Sequence, residues 1–284
     1  SFPMRHSPLF RAALEIVQSG RLGTINQITA VNHVPYGGIY FGEWYRNHDE
    51  TGNLWLQKAT HDFDTICTLV DAPLVSIVAA ETRRVFGGDM PAGLRCSECS
   101  RTRECLESPQ HIRARGGADG GAAAMNSRTT GSFDHACLFS EDIHHHDSGT
   151  AILRFSNGVI ASYNQNFVTR NSAGKRGAIL TGYNATLEYE FTAKLIRVVE
   201  HHSQRVDTIS FATLGAHSGG DIILLQNFCD VMKGIAISHT PLTLGIQSAA
   251  ICLAATQSIR DSSFIDISSV DKLVQSHTTD VQTV

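Results

Sequence analysis

The sequence predicts an α+β domain, an open and mostly antiparallel sheet with helices packed on one face. Three observations carry that expectation. Strand-like segments crowd into one stretch, residues 150–211, and helical segments stand toward the two ends. No strand candidate is followed by a G-x-G-x-x-G or G-x-x-x-x-G-K turn. Segregated helices and strands pack as α+β layers, whereas a parallel sheet needs alternation. At 284 residues, 42% hydrophobic and 18% charged, the chain can bury a substantial core and lacks the composition of disorder. A net charge of -4 leaves no basic footprint for nucleic acid. No run reaches the roughly 18 apolar residues of a bilayer span, so no membrane partner is expected.

The elements follow in order. Residues 7–19 form a helix, with Ser7 as N-cap, Pro8 in its first position and Gly20 closing it. Residues 24–36 are β-branched and read as a strand, and 37–52 as a glycine-containing loop studded with Tyr40, Phe41, Trp44 and Tyr45. An amphipathic helix spans 54–70, with Leu56, Ala59, Phe63, Ile66 and Val70 as its apolar stripe. A strand over 74–84 leads into an insertion, about 86–137, rich in Gly, Ser, Arg and Cys; long loops of this kind are functional, stapled or disordered. Residues 150–155 and 159–167 flank Ser156-Asn157-Gly158, a hairpin signal, and strands at 178–181, 185–191, 195–200 and 206–211 continue the meander. Helices at 221–233 and 245–260, a short strand at 264–267 and a polar tail, 269–284, end the chain. The abrupt start at Ser1 against a helix reads either as a missing first half or as a trimmed natural terminus.

Four groups could do chemistry. Gln57, His61 and Asp64 recur at four and three residues, so one helix face would hold an imidazole beside a carboxylate, with Lys58 at its margin. The competing reading is a plain solvated face. Cys96, Cys99, Cys105 and Cys137 offer four thiolates for a structural zinc, with disulfides or free thiols as the other possibilities. Cys67 and Cys252 fall among apolar helix positions and read as inert core. His144-His145-His146-Asp147 reads as an exposed polar segment, since neighbours on a strand point to opposite faces. In His217-Ser-Gly-Gly-Asp221, Asp221 can cap the following helix, with His217 facing a ligand as a further option.

Arg5-His6-Ser7-Pro8, Ser19-Gly20-Arg21-Leu22-Gly23, Gly52 through Asp64 with its K-x-T-H-x-F-D core, Phe155-Ser-Asn-Gly158 and His217 to Asp221 occur in the order seen in the C-terminal half of the glucose–fructose oxidoreductase / inositol dehydrogenase (Gfo/Idh/MocA) family. The chain resembles that family over roughly residues 3–268, in a branch that also carries cysteines at positions like Cys96, Cys99, Cys105 and Cys137. The resemblance implies a substrate-binding and oligomerisation domain over 1–284, following a Rossmann domain that is absent from this chain, so that the chain alone is expected to be inactive. It implies NAD or NADP held mainly by that other domain, hydride transfer on a sugar, polyol or sugar derivative, and a homo-oligomer formed through the sheet face. His61 lies at the family's proton-handling His; Gln57 stands where many members have Asp, and Lys58 could compensate as cation or acid. Trp44 and Tyr45 are candidates for a sugar platform, Arg46 for a clamp on hydroxyls or a carboxylate, and Asp64 and His217 for further substrate contacts. Some relatives cleave or isomerise glycosides by transient oxidation without net redox change, and a non-enzymatic assembly module is a third reading. A cytoplasmic location is the corresponding expectation.

Overall fold

The computed structural model describes residues 2–115, 134–212 and 216–267. Its elements are α1 (Pro8–Gln18), β1 (Ile25–His33), α2 (Ile39–Gly42), α3 (His48–Thr51), α4 (Thr60–Val70), β2 (Leu74–Thr82), α5 (Pro109–Ala114), β3 (Ser148–Phe155), β4 (Ile160–Asn166), β5 (Lys175–Gly182), β6 (Ala185–Glu190), β7 (Leu195–Glu200), β8 (Val206–Ser210), α6 (Gly220–Met232), α7 (Leu242–Asp261) and β9 (Ile265–Asp266). The expected tail at 269–284 lies outside the described residues, as does part of the insertion.

Nine strands form one sheet in the order β8-β7-β6-β5-β1-β4-β3-β2-β9. Every pairing is antiparallel except β1 with β4, where Gln27 to His33 run alongside Ile160 to Asn166. The parallel pair has a topological cause. β4 and β5 follow one another in the chain but do not pair, because β1 inserts between them. The sheet is therefore the mixed, mostly antiparallel one expected.

Burial alternates along β3, β4 and β6, as it must when one face is covered. Leu153, Ala161, Leu180 and Leu187 point into a core with Leu9 and Phe10 of α1, Phe63 and Ile66 of α4, and Ile251 and Cys252 of α7. The other face leaves Ile152, Ile160 and Ile179 partly exposed. Helix α7 is long and apolar enough, by length and composition, to cross a membrane. Here it is docked on the sheet edge, where Ser258 Oγ accepts from the Ala79 amide at 3.0 Å, and on the turn before α4, where Asn53 Nδ2 donates to Thr256 Oγ1 at 2.7 Å.

Two sequence expectations change in detail. The helix expected over 54–70 begins as a π-helical turn, Trp55–Ala59, before continuing as α4. π turns of this kind recur at functional sites. Trp55 fits because β3 carries Gly149 opposite it; a Cβ there would stand 2.7 Å from the indole. The loop over 37–52 is instead a set of short helical turns whose Tyr40 and Phe41 join Val34, Leu54, Phe86, Leu138 and Phe167 in a second core beneath the insertion.

Candidate active site

The π turn places Lys58 over the end of β1. Its side chain is only 7% exposed, and Nζ donates to Tyr36 Oη at 2.5 Å while standing 4.7 Å from the Tyr36 ring centre. Burial above all, with the Arg176 guanidinium also nearby, lowers the Lys58 pKa. His61 follows, its ring edge-on to Phe2 at 5.4 Å. Burial, then Arg176, lowers its pKa to about 4, so it is neutral near pH 7, and Nδ1 is buried without a hydrogen-bond partner.

Asp62 turns to the sheet and accepts three hydrogen bonds, each 2.7 Å, from Asn32 Nδ2, Tyr163 Oη and Arg176 Nε. This network was missed in the sequence, although a signal existed. Asp62 lies three residues after Ala59 and four before Ile66, within the helix's apolar stripe, so a carboxylate there must be buried and partnered. Arg176 likewise lies in a largely apolar strand.

Gln57, His61 and Asp64, expected together on one helix face, do not bond one another. Gln57 gives its amide to the Thr51 carbonyl, because the π turn shifts the residues before Thr60 out of α-helical phase. Asp64 is taken by Arg5, whose Nε and Nη2 bind its two oxygens at 2.6 and 2.7 Å. Arg46 is committed to Asp142 (2.5 Å), Ser140 and the Cys137 carbonyl, tying the aromatic segment to the insertion rather than reaching toward Lys58. Trp44 is 60% exposed and stacks on Tyr45 at 4.1 Å, and Tyr45 leans on Tyr40. His217 bonds Asp221 at 2.9 Å on the surface, and Gly219 rather than Asp221 occupies the helix N-cap.

The histidine run also differs from expectation. His145 and His146 are buried; His146 Nδ1 lies 2.8 Å from Glu81, and His145 Nε2 donates to the Tyr45 carbonyl. Burial lowers the His145 pKa to about 4. Cys96, Cys99, Cys105 and Cys137 are all free thiols. Among the described residues, no group of three or more His, Cys, Asp or Glu side chains is placed to hold a metal ion, so the zinc expectation at Cys96, Cys99, Cys105 and Cys137 finds no support. Cys96 lies with its sulfur 3.7 Å from His135 Nδ1, and burial, reinforced by Cys105 and Cys137, pushes its thiol up to about 12, unsuited to thiolate chemistry.

Three cavities stand out, of about 430 Å³ on the sheet around His33, Glu81 and Asn164, about 160 Å³ around His48 and His145, and about 250 Å³ around Arg5, His6 and Arg11. His61 lines none of them. The Lys58–Tyr36–His61 corner therefore has proton-handling groups but takes its far wall from elsewhere.

The family model described as the GFO/IDH/MocA C-terminal domain matches residues 10–188. YteT of Bacillus subtilis (strain 168), named as an oxidoreductase, is 24% identical over 254 residues, covering 80% of this chain and 58% of that protein. Similar solved folds include levoglucosan dehydrogenase in complex with NADH and levoglucosan (TM-score 0.66, 14% identity, 94% of this chain and 65% of that one). An oxidoreductase domain protein from Kribbella flavida is another (TM-score 0.63, 11% identity, 94% and 64%). The chain thus spans less than two thirds of the length of each. With well over half of its residues matched, and with the mixed sheet of these folds, the chain belongs to the Gfo/Idh/MocA oxidoreductase family through its C-terminal domain.

Proposed function

We propose that this chain is the substrate-binding and catalytic half of an NAD(P)-dependent oxidoreductase, transferring hydride at a hydroxyl-bearing carbon of a sugar, polyol or sugar derivative. The observation that carries the reading is the buried corner where Lys58, bonded to Tyr36, and His61, whose Nδ1 has no hydrogen-bond partner, stand beside the Asp62–Arg176 pair. Family membership supports it, as does the shared fold of a dehydrogenase solved with NADH and a sugar.

The described residues offer no glycine-rich phosphate cradle, so the dinucleotide is assigned to a lobe outside this chain, which also completes the wall over His61. When bound, nicotinamide supplies the hydride acceptor. The remaining work falls to this chain. The neutral His61 presents an unpartnered ring nitrogen to a substrate hydroxyl and orients it. The Lys58 amine, lowered by burial, accepts the hydroxyl proton and exchanges it through Tyr36 Oη, whose side chain is 39% exposed and so opens the route to water. Arg176, held in place by Asp62, supplies positive charge where the hydroxyl oxygen becomes anionic. Self-association is assigned to the uncovered sheet face around Ile152, Ile160 and Ile179.

Cofactor stoichiometry tests the reading. One NADH or NADPH formed for each sugar consumed is the expected result. Unchanged cofactor with release of a cleaved or isomerised sugar would replace it with the transient-oxidation chemistry.

A further inference from the structure

We propose that the cavity between the N-terminal turn, α1, α4 and the segment ahead of α7 is a binding site for a phosphate-type oxyanion, separate from the Lys58–His61 corner. It encloses about 250 Å³ and is lined by Arg5, His6, Phe10, Arg11, Leu14, Thr68 and His239. Two guanidiniums, two imidazoles and one hydroxyl thus face one space, and among the described residues no carboxylate lines it.

Three features give it a built character. His6 is 2% exposed, and its Nε2 is buried without a hydrogen-bond partner. The ring lines the cavity, and a small turn of it brings the orphaned nitrogen to a ligand bound there. Arg5 lines the cavity with its guanidinium fixed by Asp64, which grips Nε and Nη2. The Arg11 side chain has neither hydrogen bond nor ion pair among the described residues, while His239 stacks on His6 at 5.7 Å. With Asp64 already committed to Arg5, the remaining positive charge of the cluster is uncompensated among the lining residues, and an oxyanion offsets it while accepting from Arg and His together.

The electrostatics give the site a pH signature. The His6 pKa is lowered by burial, then by His239, Arg11 and Arg5, and the nearby Asp64 carboxylate is held by Arg5. A bound phosphate monoanion, the main form near pH 6.5, offsets the positive neighbours, so His6 takes up a proton on binding and affinity rises as pH falls through the imidazole range.

Isothermal titration of inorganic phosphate into the full chain near pH 6.5, at constant ionic strength and in two buffers of different ionisation enthalpy, tests this. One saturable site is expected, with an apparent enthalpy that differs between the buffers because protons are taken up. Arg11→Gln, at an exposed position whose side chain makes no hydrogen bond or ion pair among the described residues, is expected to weaken binding by about tenfold or more while its melting temperature stays at the parent value. His239→Gln should reduce the proton uptake. Acetate titrated in parallel distinguishes the source of the oxyanion: saturable binding of acetate in place of phosphate would assign the site to a carboxylate. Absence of saturable heat with either probe, or parent-like affinity in Arg11→Gln, would overturn the proposal.

Discussion

The turn and helix around Lys58 and the cysteine segment around Cys96 both bury polar groups, and they treat them differently. Around α4, Asp62 receives three donors and Asp64 a two-pronged Arg5, while His61 Nδ1 is left buried without a partner and Lys58 bonds Tyr36 alone among the described residues. In the insertion, the thiols settle into ordinary packing: Cys137 accepts from the Phe139 amide at 3.4 Å, and Cys96 sits against His135. Unmet hydrogen bonding inside an otherwise satisfied network marks chemistry better than residue type does. Four cysteines in a loop carried the more familiar motif, yet the helix carries the better site.

That contrast can be broken by substitution. The largest effect is expected for His61→Ala in an enzyme joining this chain to its dinucleotide lobe, where kcat/KM should fall by roughly 10²-fold or more with the melting temperature nearly unchanged. Asp62→Asn comes next and acts on stability. It leaves Arg176 buried beside a neutral amide, and chemical denaturation should show a loss of about 3 kcal/mol. A pH titration of stability should show a smaller effect. His61 and His145 each have a folded pKa lowered to about 4 from 6.5, so the unfolded chain binds more protons in that window. Melting temperature should hold above pH 6.5 and fall as the pH drops from 6.5 toward 4. The smallest effect is expected at Cys99, where Cys99→Ser should change stability within about 0.5 kcal/mol. A large loss restored by added zinc would reverse the comparison and make the cysteine segment a metal staple.

Much of the fold was legible because it rests on period and turn chemistry. Gly158 after Asn157 marks the hairpin between β3 and β4, and the β-branched run before Tyr36 marks β1. The insertion of β1 between β4 and β5 was not legible, since strand order depends on pairing between distant segments. In the site, His61 and Lys58 stood out by spacing within one helix. Their neighbours Tyr36, from the turn after β1, and Arg176, from the start of β5, are brought near only by the folded sheet. The expected His61–Asp64 pairing failed for a local reason: Arg5, at the chain's start, offers Asp64 a fork of two charge-assisted hydrogen bonds that a neutral imidazole cannot match. The buried state of His145 and His146 was hidden because the segment ahead of β3 is packed under the aromatic turns of 37–52, a second core that periodicity does not reveal.

The most direct test of the account is the pH dependence of kcat for Lys58→Met beside the parent, in the complete enzyme with its nicotinamide cofactor. A drop of about 10²-fold or more in kcat, a KM within a few-fold of the parent and loss of the ionisation belonging to the buried amine are the results predicted. A Lys58→Met enzyme that turns over at the parent rate with an unaltered pH profile would contradict it.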